Sequence, residues 1–171
     1  MVTTEALPVV VDAGPIIHLD ELGCLDLLSD LSPAIVPQVV WAEVSLHRRS
    51  LKIGMLGGVE QVSVHGSISD RIKQLNDEFE LGAGEVSALV YMSQRACRFL
   101  LTDDAAARLA AEQMGWRAHG TIGVIVRSIR RGLRSREQVC DILSGIRQRS
   151  SLHIAQAVLN TAISKVMTSG D

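Results

Sequence analysis

The chain has 171 residues, 47% hydrophobic and 21% charged, with a formal net charge of −2. That length suits one domain with a buried core. Aromatics, at 3%, are too few for a stacking platform on single-stranded nucleic acid, and no apolar run reaches the roughly 20 residues of a membrane span.

In chain order, Val9-Val10-Val11 after Pro8 reads as a short buried parallel strand ending at Asp12. Pro15 can open a helix and Gly23 can stop it. Leu25 to Leu31 continues as helix, Ala34 to Val36 is a strand, and Pro37 starts a helix to about His47. Residues 48–60 are Gly-rich and basic, which predicts a loop, and Val62 to Val64 is a strand candidate. Helices are expected from Ser69 to about Asn76 and from Leu81 to about Gln94. Arg98 to Thr102 is a strand, Asp104 to Met114 a helix ended by Gly115, and Arg117 to His119 a short strand. Helices over about 121–131, 135–147 and 152–167 complete the chain, and Ser135 with Gln138 makes a capping box for the second. Strands alternating with helices predict a parallel sheet covered on both faces. There is no internal repeat or linker, so residues 1–171 are expected to form a single domain.

Met1 to Val11 has no basic start and runs straight into Asp12, so it does not read as a signal peptide. Cys24, Cys97 and Cys140 form no C-x-x-C pair, and their odd number suits a reducing compartment. Buried structural roles for all three and a cytoplasmic location are expected. Charge is unevenly spread. Residues 1–47 hold seven acids and no Lys or Arg, whereas residues 127–149 carry seven arginines against Glu137 and Asp141. Such a split suits an acidic metal pocket beside a phosphate-binding surface, or else a solvated helical face at the basic end.

Four acidic loci stand out. Asp12 ends the first strand, where open α/β sheets gather ligands. Glu43 lies in a helix beside Val39, Val40 and Val44, and Glu85 follows Gly82-Ala83-Gly84, whose glycines allow close backbone approach. Asp103 and Asp104 follow the fourth strand. Each has a structural alternative: a helix cap, a rim salt bridge or a helix-dipole contact. Together they predict one acidic pocket, and all-oxygen ligation selects Mg²⁺ or Mn²⁺ over zinc. The five histidines lack zinc-site spacing, and His18 and His119 fall near the strand ends.

These segments resemble the PIN-domain family, in particular a prokaryotic subgroup similar to VapC-type toxin ribonucleases. The matching pieces are VVVDAGPIIHL with Asp12, VPQVVWAEV with Glu43, LGAGEVSAL with Glu85, LLTDDAAARLA with Asp104, and HGTIGVI. The resemblance implies a three-layer α/β/α sandwich with a central parallel sheet, with a core over about 7–126 and extra C-terminal helices over about 127–171. It also implies Mg²⁺- or Mn²⁺-dependent hydrolysis of RNA by Asp12, Glu43, Glu85 and Asp104, with Asp103 as a further metal ligand. Arg127, Arg130, Arg131 and Arg134 become candidates to grip the RNA backbone, and an antitoxin partner and a homodimer are expected. Two positions depart from the pattern: Gly14 stands where many members carry Ser, Thr or Asn, and Glu85 where Asp is frequent. They leave a catalytically weak RNA- or protein-binding module as the alternative. A dinucleotide site is disfavoured because Ser87 replaces the third glycine of the fingerprint and no buried strand precedes it, and an aspartyl phosphotransfer domain because Gly14 breaks the D-x-D pair.

Overall fold

Three consecutive Val residues make strand β1 (Val9–Val11), the central strand of the sheet. A computed structural model describes residues 7–31, 33–95 and 97–168. The remaining strands are β2 (Ala34–Pro37), β3 (Val59–Val62), β4 (Phe99–Leu101) and β5 (Arg117–His119). They form a five-stranded sheet in the order β3-β2-β1-β4-β5, with every pairing parallel. The helices are α1 (Ala13–Glu21), α2 (Gln38–His47), α3 (Asp70–Phe79), α4 (Ala83–Gln94), α5 (Ala105–Gln113), α6 (Thr121–Arg130), α7 (Arg136–Arg149) and α8 (Gln156–Thr168).

Alternation along the strands separates two apolar layers. Val11 and Leu101 face a cluster built with α1, α2, α6, α7 and α8, through Ile16, Val44, Ile125, Leu143 and Leu159 among others. Val10 and Leu100 face the other cluster, formed by α3, α4 and α5. The expected α/β/α sandwich is therefore present, and helices α7 and α8 share a core with β1. The side-chain layers on both faces follow from a strand period of two and parallel crossovers that carry helices over the sheet.

Two local expectations change. The third strand lies at Val59–Val62, because Ala34 pairs with Val59 and Pro37 with Val62. Its Glu-Gln centre hides that strand from a reading based on apolar residues. Leu25–Leu31 is helical as expected, in the 3-10 form. Helix α8 starts at Gln156, not near residue 152, because the chain before it bonds to Glu21. The Ser135–Gln138 capping box is present with both of its bonds. Cys24 and Cys97 are buried and Cys140 is half-buried. Residues 1–6, on which the signal-peptide expectation partly rests, lie outside the described residues. Among the described residues, no helix is long and apolar enough to cross a membrane.

Leu100 is 1% exposed in the central sheet, whereas Leu46 on α2 is 73% exposed. Leu100→Ala is expected to lower unfolding free energy by about 2–5 kcal/mol, and Leu46→Ala by no more than about 0.5 kcal/mol. Urea titrations of the two variants check this.

Candidate active site

The pairing of β1 with β4 runs Val9 to Phe99, Val10 to Leu100 and Val11 to Leu101. It continues one step further, with Asp12 N donating to Leu101 O at 2.9 Å. This sets the Asp12 carboxylate beside Thr102. Thr102 is fully buried, and its hydroxyl donates to Asp12 Oδ2 at 2.9 Å. The other oxygen, Oδ1, accepts from Ala13 N at 2.8 Å, so Asp12 also caps α1. The same Thr102 hydroxyl accepts from Asp104 N at 3.1 Å. Asp104 in turn caps α5, with Oδ1 accepting from Ala107 N at 2.7 Å.

Glu43 comes from α2. Val40 and Val44, one turn apart, bury into the core, and Glu43 is exposed beside them. Val39, expected on the apolar face, is 46% exposed, so Glu43 belongs to the rim of the core rather than its interior. Glu85 sits in the first turn of α4. Gly84 is what lets α4 come close: a Cβ there would lie 3.3 Å from Glu43 Oε2, 3.5 Å from Val40 Cγ2 and 3.7 Å from Asp12 Oδ1. The missing side chain thus leaves room where three elements converge.

Asp12, Glu43, Glu85, Asp103 and Asp104 all line one open cleft of about 280 Å³. Burial pushes the Asp12 carboxyl up, and the charge of Glu85 adds to this. The bonds from Ala13 and Thr102 only partly offset these effects, Glu43 raises it further, and the result is a pKa of about 7. Among the described residues, none of Asp12, Glu43, Glu85 and Asp104 is in an ion pair with a cationic side chain. Nor do any three His, Cys, Asp or Glu side chains there surround a single point as a preformed metal cage. Carboxylates without cationic partners, with Glu85 and Glu43 both repelling Asp12, are the chemistry of a site suited to a hard divalent cation.

Asp103 differs from its neighbour. Its Oδ1 accepts from Thr121 N at 2.7 Å, and its Oδ2 accepts from the Thr121 hydroxyl and pairs with His18 Nδ1 at 2.7 Å. Burial raises its pKa, but the His18 and Thr121 hydrogen bonds outweigh that and hold it below the usual carboxylate range. Asp103 therefore ties β4 to α1 and α6. The pair also borders the position of Gly14, where a Cβ would lie 3.6 Å from His18 Cε1 and 3.7 Å from Asp103 Cβ. His119 is not a lining residue; it stacks on Phe99 with centroids 6.4 Å apart.

The arginines lie elsewhere. Arg127 and Arg131 both bond Asp30, at 2.8 and 2.6 Å, and Arg134 makes two 2.8 Å bonds to Asp26. The basic end and part of the acidic half thus neutralise each other, a third outcome beside a phosphate surface or a solvated face. Arg130 is exposed and makes no such pair among the described residues. The sequence reading gave no role to Thr102 or Thr121, although both stand inside quoted motifs. It also missed Ser151, Leu152 and His153, which reach the cleft from far along the chain.

The raised pKa of Asp12 has a definite sign. Its proton stabilises the fold fully below about pH 3.8, and this contribution is lost as pH rises through about 7. In chelated buffer, the stability of the parent relative to Asp12→Asn is therefore expected to fall between those limits and then level off. Urea titrations from pH 4 to 8 check it, and parallel profiles contradict it.

A family model described as a PIN domain matches residues 8–168, nearly the whole chain and including α7 and α8. No curated protein matches the chain. PIN domains are generally nucleases and usually use divalent metals. With its parallel sheet, its α/β/α layers and its carboxylates at the strand ends, this chain belongs to the PIN-domain family, a nuclease-type fold.

Proposed function

We propose that this protein is an endoribonuclease that hydrolyses RNA phosphodiester bonds with Mg²⁺ or Mn²⁺. The observation that carries the reading is the cleft itself: a buried Asp12 with pKa about 7 beside Glu43 and Glu85, with no cationic side chain among the described residues paired to it. Asp12, Glu43, Glu85 and Asp104 would hold the ion. When bound, a divalent cation supplies Lewis-acid polarisation of the phosphodiester and activation of water.

The protein's own residues do the positioning. Thr102 and the Ala13 amide fix the Asp12 carboxylate, and the α5 cap fixes Asp104 Oδ1 while Oδ2 makes no bond among the described residues. Glu43 and Glu85 are free of such bonds among the described residues and can turn toward a cation. Asp103, proposed as a further metal ligand from the sequence, has both oxygens engaged by His18 and Thr121 and better suits a supporting role. Of the four arginines proposed to grip RNA, Arg130 makes no ion pair among the described residues, while Arg127, Arg131 and Arg134 would have to exchange an aspartate for a phosphate.

The narrower proposal is a toxin of a toxin–antitoxin pair, working in the cytoplasm as a homodimer held in check by an antitoxin. It rests on the family resemblance alone. Residues 1–171 are taken to act as one PIN-like unit.

Asp12→Asn keeps the shape of the side chain and removes the charge. Its cleavage of single-stranded RNA in Mg²⁺ or Mn²⁺ is expected to fall about 100-fold or more, a loss of roughly 3 kcal/mol in transition-state stabilisation. Purified parent and variant on a mixed RNA pool check this. A parent inactive in both metals would favour the binding-module alternative.

A further inference from the structure

The start of the stretch between α7 and α8 is bound by one carboxylate. Glu21, the last residue of α1, accepts from the Ser150 hydroxyl at 2.8 Å, from Ser151 N at 2.7 Å and from the Ser151 hydroxyl at 3.0 Å. Burial raises the Glu21 pKa, but these bonds outweigh it and leave the carboxyl below its ordinary range. Arg149 adds a bond to Leu22 O at 2.9 Å, so the end of α7 is fastened to the end of α1 at two points.

From that fastening the chain reaches the acidic cleft in a strand-like alternation. Leu152 and Ile154 are half-buried and pack against the core, whereas Ser151 and His153 are exposed. Ser151, Leu152 and His153 line the same cleft as Asp12, Glu43 and Glu85. Two histidines line that cleft. His18 is committed to Asp103, whereas His153 has no hydrogen-bond partner among the described residues.

Four carboxylates around one divalent cation still leave the cleft net negative, so a bound RNA backbone gains from a donor on another wall. We propose that His153 is a substrate-binding residue that hydrogen-bonds a phosphate of the RNA, and that Glu21 is the positioning residue that holds its segment at the cleft. The inference rests on the ribonuclease reading. On this account the C-terminal helices are not an appendage: their connection supplies a wall of the substrate site.

The test uses the full-length protein with His153→Ala, His153→Gln and Glu21→Gln. Steady-state cleavage of a single-stranded RNA in Mn²⁺ should give a KM raised about tenfold for His153→Ala, the scale of one hydrogen bond to a charged group. Its kcat should change little, as for a contact made equally in ground and transition states. His153→Gln keeps a donor and should recover most of the loss. Glu21→Gln should raise KM in the same sense and speed hydrogen exchange of the Ser151 amide, with Mn²⁺ affinity unchanged. Active parent with unaltered KM in His153→Ala overturns the inference alone. An inactive parent overturns the ribonuclease reading, and the inference is then decided by the dissociation constant for the same RNA: weakened in His153→Ala supports it, unchanged overturns it.

Discussion

The site depends on the parallel register of β1 against β4. Because Val11 opposes Leu101 and the next amide also bonds across, Asp12 and Thr102 meet where the strands end. A slip of one residue would turn every side chain of the strand to the other face and remove the Thr102 hydroxyl from Asp12. That hydroxyl serves two acids at once, donating to Asp12 and accepting from the Asp104 amide. Helices α1 and α5 then start from those two aspartates. The apolar layers on both sides fix the register, so the core positions the chemistry.

Electrostatics separates two kinds of acid in this chain. Asp20, Asp26 and Asp30 are paired with Arg48, Arg134 and the Arg127–Arg131 couple. Asp103 is satisfied by His18 and Thr121. Asp12, Glu43, Glu85 and Asp104 are left at one cleft without cationic partners among the described residues. Burying an ionised carboxylate without compensation is costly, and the raised pKa of Asp12 expresses that cost. Under the proposed function, a divalent cation would relieve it and would couple fold stability to metal binding.

Much of this was legible in the sequence, for identifiable reasons. The β-branched run ending at Asp12 and the T-D-D triplet after F-L-L carried enough local pattern to put both at strand ends, and the glycines around residue 83 announced the close approach seen at Gly84. Strand β3 was displaced because its polar centre has no strong apolar signal and its position is set by pairing with β2. The separate fates of Asp103 and Asp104 could not be read from adjacent identical residues, since they depend on His18 and Thr121 folding up to one of them. The Glu21 contact with Ser150 and Ser151 spans about 130 positions, and nothing local to either end signals it. The arginine pairs with Asp26 and Asp30 were hidden for the same reason.

The central claim is that these carboxylates form a cation site organised around Asp12, and calorimetric titration of the chelator-treated protein with Mn²⁺ tests it most directly. The parent is expected to bind Mn²⁺ saturably, with Mg²⁺ competing, and Asp12→Asn to bind at least about tenfold more weakly, since even a lost support behind a ligand costs that much. Equal Mn²⁺ affinity in parent and variant would contradict the account.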